Sequence, residues 1–149
     1  QGYCTLETTG QVYAFGASSI SQLESAYIQN IKNASQYINA IEKDKLAVFR
    51  GYSVNKQQKI VREIINSIMC NYFVDFNLIS SKYKMSISEI FEFINFNTDS
   101  LDDFISDKIL VFKENKISIN KSGRLFTRNI AMRFDPLIDK KVGTYSNTV

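Results

Sequence analysis

The sequence holds few residues equipped for acid–base or metal chemistry, and their placement narrows what the chain can do. There is no histidine, so no imidazole serves as a general base or metal ligand. The two cysteines, Cys4 and Cys70, lie far apart, with neither a second cysteine nor a histidine beside them. That spacing does not suit a zinc centre or a self-contained iron–sulfur site. Cys70 follows an apolar stripe and reads as a small buried hydrophobe rather than a reactive thiol. A ligand signal of another kind lies in Val12-Tyr-Ala-Phe-Gly-Ala-Ser-Ser-Ile-Ser21. An apolar run with β-branched and aromatic residues passes into Gly16 and a group of hydroxyls. This pattern predicts a buried parallel strand ending at a turn where a ligand can approach the backbone. The same residues also suit an ordinary strand-to-loop turn.

The elements that must position these residues follow from periodicity and capping. Ser21 to Ile31 is predicted to be a helix capped by Ser19 or Ser21, with Leu23, Tyr27 and Ile28 near helical spacing. Ala34 to Glu42 is predicted to be a helix capped by Asn33. Leu46 to Phe49, followed by Arg50-Gly51-Tyr52, reads as an extended connector. The clearest helix is Asn55 to Asn71, where Ile60, Val61, Ile64, Ile65, Ile68 and Met69 form one stripe. Asn55 with Gln58 resembles a capping box. Short helices follow over Asn77–Tyr83, Ser86–Phe93 and Ser100–Ser106, the second opened by the capping box Ser86-Ile-Ser-Glu89. The period then changes. Ile109–Phe112, a turn at Glu114–Lys116 and Ile117–Ile119 predict a β-hairpin. A last helix is predicted from Lys121 to Phe134, capped by Asn120 or Ser122, with Pro136 marking its end. The tail beyond Asp139 is polar.

The chain of 149 residues, 44% apolar and 22% charged, suits one ordinary domain or one small domain with an extension. The net charge of +3 is a weak excess, with no basic run of the kind that forms a nucleic-acid tail. No apolar stretch is as long as a membrane span, and none reads as a signal peptide. Widely separated cysteines fit a reducing cytoplasm. The chain starts at Gln1 and reaches a strand-like run almost at once, which predicts a piece of a longer protein.

Three helices followed by a hairpin is the order of a winged-helix unit, many of which read DNA with the helix before the wing. Here that helix, Ser86 to Phe93, carries Glu89 and Glu92 and no base, which opposes phosphate binding. Nucleic acid is therefore not an expected partner.

Several stretches together resemble a known family. Gln1-Gly-Tyr-Cys-Thr5, Gly16-Ala-Ser-Ser-Ile-Ser21 and Tyr27-Ile-Gln-Asn30 are similar to the end of the radical S-adenosylmethionine (SAM) barrel of oxygen-independent coproporphyrinogen III oxidase. Arg50-Gly-Tyr52, Arg62-Glu-Ile-Ile65, Met69-Cys-Asn71, Gly123-Arg-Leu-Phe126, Arg128-Asn-Ile-Ala131 and Phe134-Asp135 resemble its C-terminal domain. Cys4 departs from the threonine expected in that stretch.

The resemblance implies a mainly α fold with a small β-hairpin. A winged-helix-like C-terminal domain over 33–139 would follow a remnant strand and helix of a radical SAM α/β barrel over 1–32, with a tail at 140–149. The implied reaction is the anaerobic oxidative decarboxylation of two propionates of coproporphyrinogen III to vinyl groups. The implied cofactors of the full-length enzyme are SAM and a [4Fe–4S] cluster held by a C-x3-C-x2-C motif. This sequence lacks that motif, so the piece alone is expected to hold neither cofactor stably and to be inactive. The resemblance assigns no catalytic residue and no metal ligand here. It places Gln1 and Ile20 at the pocket for a second SAM, and the missing barrel as partner. Arg50, Arg124 and Arg128 become candidates for holding substrate propionates, because guanidinium forks match carboxylates. The bland alternative is that they cap helices, pair with local acids or bind the missing barrel. A related heme-binding protein and a free-standing winged-helix module are the other readings.

Overall fold

The structure is a computed structural model, and it describes residues 11–138. Gln1, Cys4 and the tail beyond Asp139 lie outside the described residues. The chain forms two compact units, divided between Lys59 and Ile60. Helices and two small antiparallel sheets are mixed along it.

The first unit is built on a three-stranded sheet. Strand β1 (Ile20–Gln22) pairs antiparallel with β2 (Ala26–Asn30), which pairs antiparallel with β3 (Val48–Ser53). Helix α1 (Ala34–Glu42) connects β2 to β3, and Asn33 caps it as predicted, its Oδ1 accepting from Gln36 N at 3.0 Å.

Two expectations fail in this unit. Val12–Ser21 is not a buried parallel strand: Tyr13 and Phe15 are 68% and 88% exposed, and Val12 makes only an antiparallel bridge to Gln22. Ser21–Ile31 is not a helix but most of a hairpin, closed where Leu23 N donates to Ala26 O at 2.8 Å. Tyr27 and Ile28 fit a helix stripe, but they are aromatic and β-branched, and cross-strand partners recruit them into a sheet. The predicted connector at 46–52 likewise becomes the edge strand β3. Every residue of that strand is exposed.

The second unit has a closed core. Helix α2 (Lys56–Asn71) opens with the predicted capping box: Asn55 N donates to Gln58 Oε1 at 3.0 Å, and Gln58 N donates to Asn55 Oδ1 at 2.9 Å. Its stripe buries Ile60, Val61, Ile64 and Ile68, each contributing about 1.5–3 kcal/mol by leaving water. Cys70 at the end of the helix is half-buried, not enclosed. Then come β4 (Phe73–Asp75), α3 (Phe76–Tyr83) and α4 (Ile87–Phe93). The predicted Ser86/Glu89 capping box is complete. A 3-10 turn at Thr98–Leu101 leads into α5 (Asp102–Ser106).

The predicted hairpin is β5 (Leu110–Lys113) and β6 (Lys116–Ile119). Its sheet gains a third strand that periodicity did not reveal, since β4 pairs with β6 and the order is β4-β6-β5. Three residues are too few to show an alternating pattern. The last helix is divided. A 3-10 segment at Ser122–Phe126 precedes α6 (Thr127–Met132); its N-cap is Lys121, neither Asn120 nor Ser122, although Asn120 Oδ1 accepts from Gly123 N at 2.8 Å. An interlocked aromatic group, including Phe76, Phe91, Phe96 and Phe134, fills the centre.

Candidate functional site

The turn at Gly16 keeps its polar groups to itself. Gly16 has φ +98, a conformation that favours glycine, while a Cβ there would meet nothing within 4 Å. The residue is therefore required by backbone shape and not by close approach. Its N–H donates to Tyr37 Oη at 3.1 Å, and its carbonyl accepts from Ser19 Oγ at 2.7 Å and Asn30 Nδ2 at 3.1 Å. Asn30 Nδ2 also reaches Ser19 Oγ at 3.1 Å, and Ala14 N donates to Ser21 Oγ at 3.0 Å. The Ser19 and Ser21 hydroxyls, part of the group that suggested a ligand turn, are spent on holding the loop.

What this loop presents is Ile20, the first residue of β1 and 53% exposed. Ile20 lies opposite Gln29, and Gln29 lies opposite Arg50. Residues directly opposite on adjacent strands share a face of the sheet, so the sheet places Ile20, Gln29 and Arg50 in one row. Arg50 Nε donates to Gln29 Oε1 at 2.9 Å, and Gln29 Nε2 donates to Ser18 O at 3.3 Å. The guanidinium carbon of Arg50 and Nζ of Lys32 each lie 6.0 Å from the Phe49 ring centroid, which makes this part of the sheet cationic. Thus two of the predicted residues, Ile20 and Arg50, share a row with a third, Gln29, that the sequence did not single out. Gln29 is linked to Arg50 across 21 residues of sequence, and no local spacing announces such a partner.

In the second unit, Arg124 and Arg128 are exposed on consecutive turns of the 3-10 segment and α6. The Arg124 guanidinium lies 4.4 Å from the centroid of the Tyr72 ring, and among the described residues no carboxylate pairs with it. Its face rests on the ring, which leaves its N–H edge directed elsewhere. The Arg124 backbone is held where Thr127 Oγ1 donates to its carbonyl at 2.8 Å. Gly123, just before it, packs too tightly for any side chain: a Cβ would come within 2.3 Å of Ile109 O.

Among the described residues no group of three or more His, Cys, Asp or Glu could hold a metal ion, and no helix is long and apolar enough to cross a membrane. The described residues therefore do not fit an iron–sulfur cluster.

The backbone matches part of a radical SAM enzyme. Coproporphyrinogen III oxidase from Escherichia coli, which is a radical SAM enzyme, aligns over 90% of this chain and 30% of its own, with a TM-score of 0.76 and 26% identity. In sequence, the chain is similar to oxygen-independent coproporphyrinogen III oxidases. The protein of Salmonella typhimurium is 29% identical over 141 residues, 95% of this chain and 30% of that protein. The anaerobic coproporphyrinogen III oxidase 1 of Cereibacter sphaeroides is 30% identical over 135 residues, 91% of this chain and 29% of that protein. The chain thus spans under a third of the length of these relatives. No protein-family model matches it. The similarities agree with the family resemblance read from the residues.

Proposed function

We propose that this chain is the C-terminal part of an oxygen-independent coproporphyrinogen III oxidase, an oxidoreductase that decarboxylates two propionates of coproporphyrinogen III in heme biosynthesis. The observation that carries the proposal is the agreement of backbone and sequence with such enzymes over nine-tenths of the chain. In this reading residues 1–32 end a radical SAM barrel, and the winged-helix-like part of residues 33–139 is narrowed to the second unit from Ile60 onward, because β3 pairs with β2 and keeps residues 33–53 with the first sheet. Supporting the second assignment is the element order α2, β4, α3, α4, α5, β5, β6 with sheet order β4-β6-β5. The fold analogy carries no DNA-binding role, because α4 presents Glu89 and Glu92, both exposed.

SAM and the [4Fe–4S] cluster belong to the full-length enzyme in this proposal. Ile20 contributes apolar surface to a second SAM, together with Gln1. Arg50, Arg124 and Arg128 contribute guanidinium groups toward propionates. The barrel is the partner that the chain lacks.

The test is anaerobic turnover of coproporphyrinogen III by the full-length protein containing this chain. Formation of protoporphyrinogen IX and deoxyadenosine is the expected result. A full-length protein that cleaves SAM but leaves coproporphyrinogen III intact would overturn the proposal. The 149-residue chain alone, reconstituted with iron and sulfide, is expected to form no deoxyadenosine.

A further inference from the structure

We propose that Gln29 is a positioning residue that turns Arg50 into a carboxylate-binding fork, set in line with the apolar surface of Ile20. The ligand class is a carboxylate carried on a largely apolar body. Naming that carboxylate as a substrate propionate, or as the amino-acid carboxylate of SAM, rests on the function proposed above; the fork itself rests on the geometry.

The geometry has three parts. Gln29 is fixed at both ends of its amide, with Nε2 donating to Ser18 O at 3.3 Å and Oε1 accepting from Arg50 Nε at 2.9 Å. An arginine has five N–H donors. Using Nε on Gln29 orients the guanidinium plane and leaves the terminal nitrogens for a ligand. Gln29 is neutral, so it orients Arg50 without cancelling its charge, as an aspartate or glutamate would. The second part is the charge around the fork, since Lys32 approaches the same Phe49 ring as Arg50 does. The third is the row. Ile20 stands two strands from Arg50 on the same face, a separation of about 9–10 Å at the usual strand spacing. One ligand can therefore rest on Ile20 while its carboxylate reaches the fork.

The test uses the full-length protein containing this chain. Affinity for coproporphyrin III, the fluorescent oxidised form of the proposed substrate, is read by fluorescence titration. Its tetramethyl ester is the carboxylate-free control, and SAM affinity is measured by equilibrium dialysis. Arg50→Ala is expected to weaken a carboxylate ligand by about tenfold, the scale of a lost charge-assisted pair. Gln29→Glu is the discriminating variant. It still accepts from Nε and melts at the wild-type temperature, yet it neutralises the guanidinium and weakens the same ligand. Arg50→Lys does not restore affinity, because an ammonium cannot serve Gln29 and a carboxylate as a fork. Ester affinity is unchanged throughout.

Weakening for coproporphyrin III assigns a propionate, and weakening for SAM assigns its carboxylate; either supports the fork. The fork is overturned if Arg50→Ala or Gln29→Glu leaves both affinities at the wild-type value, or if the wild-type protein binds neither ligand. A protein that does not turn over coproporphyrinogen III but still loses carboxylate affinity in both variants sinks the proposed function and keeps the fork. Turnover with both affinities unmoved does the reverse.

Discussion

The Arg124 guanidinium lies 4.4 Å from the centre of the Tyr72 ring. Tyr72 is itself fixed, with a positive φ of 57 and its carbonyl accepting from Ile119 N at 2.8 Å. Ring and arginine are thus anchored at one end of the β4-β6-β5 sheet. A cation over an aromatic face at an exposed site is worth about 0.5–1 kcal/mol. A double-mutant cycle of Arg124→Ala and Tyr72→Leu in urea unfolding should return that coupling, and Tyr72→Phe should retain it. A coupling of zero would show that the stacking is incidental.

Phe134 is 1% exposed and stacks on Phe96 at 4.2 Å with 19° between the planes. Phe76 closes on it from another side at 6.2 Å. Phe134→Ala removes a whole ring from a filled centre and is expected to destabilise the protein by about 3–5 kcal/mol. Phe134→Leu should lose distinctly less. Midpoints and slopes of urea unfolding separate the two variants.

Gly123 gives a steric prediction. A Cβ at this position would lie 2.3 Å from Ile109 O and 2.8 Å from methyl carbons of Ile109 and Ile119. The first neighbour is backbone and cannot swing aside. Gly123→Ala should therefore cost about 1–3 kcal/mol, the range for overpacking, although alanine favours helical backbone. Calorimetry showing a melting temperature at or above wild type would contradict this.

Asp75 supplies a pH dependence. Lys116 lies opposite it on β6, and the Nζ–Oδ2 distance is 2.9 Å. That hydrogen bond, together with the Asn77 N–H donating to Oδ1 at 2.9 Å, holds the carboxyl below its usual value of 3.8. A depressed pKa in the folded state means that the contribution is present above the unfolded value and is lost as pH falls through the folded one. The stability gap between wild type and Asp75→Asn should be constant from neutral pH down to about 5. It should close as the pH drops below 3.8. Chemical denaturation across that range checks it, and a gap that widens in acid would reverse the sign.

Residue order alone determined the features built from contacts close along the chain. The α2 stripe, the Asn33, Asn55 and Ser86 caps and the β5–β6 hairpin follow from helical period, side-chain capping and turn placement, all local interactions. The arginines were legible as carboxylate-seeking residue types, although their partners were not. Tertiary structure decided the rest. Tyr27 and Ile28 satisfy helix and strand periods alike, and only pairing with Gln22 and Ser21 on one side and with Tyr52 and Gly51 on the other selects the strand. Strand β4 exists because β6 provides its hydrogen bonds. The row Ile20–Gln29–Arg50 depends on sheet register, and a slip of one residue would send its side chains to the opposite face. Register is set by partners far away in the chain, so the family resemblance could nominate Ile20 and Arg50, but local residue order could not bring Gln29 between them.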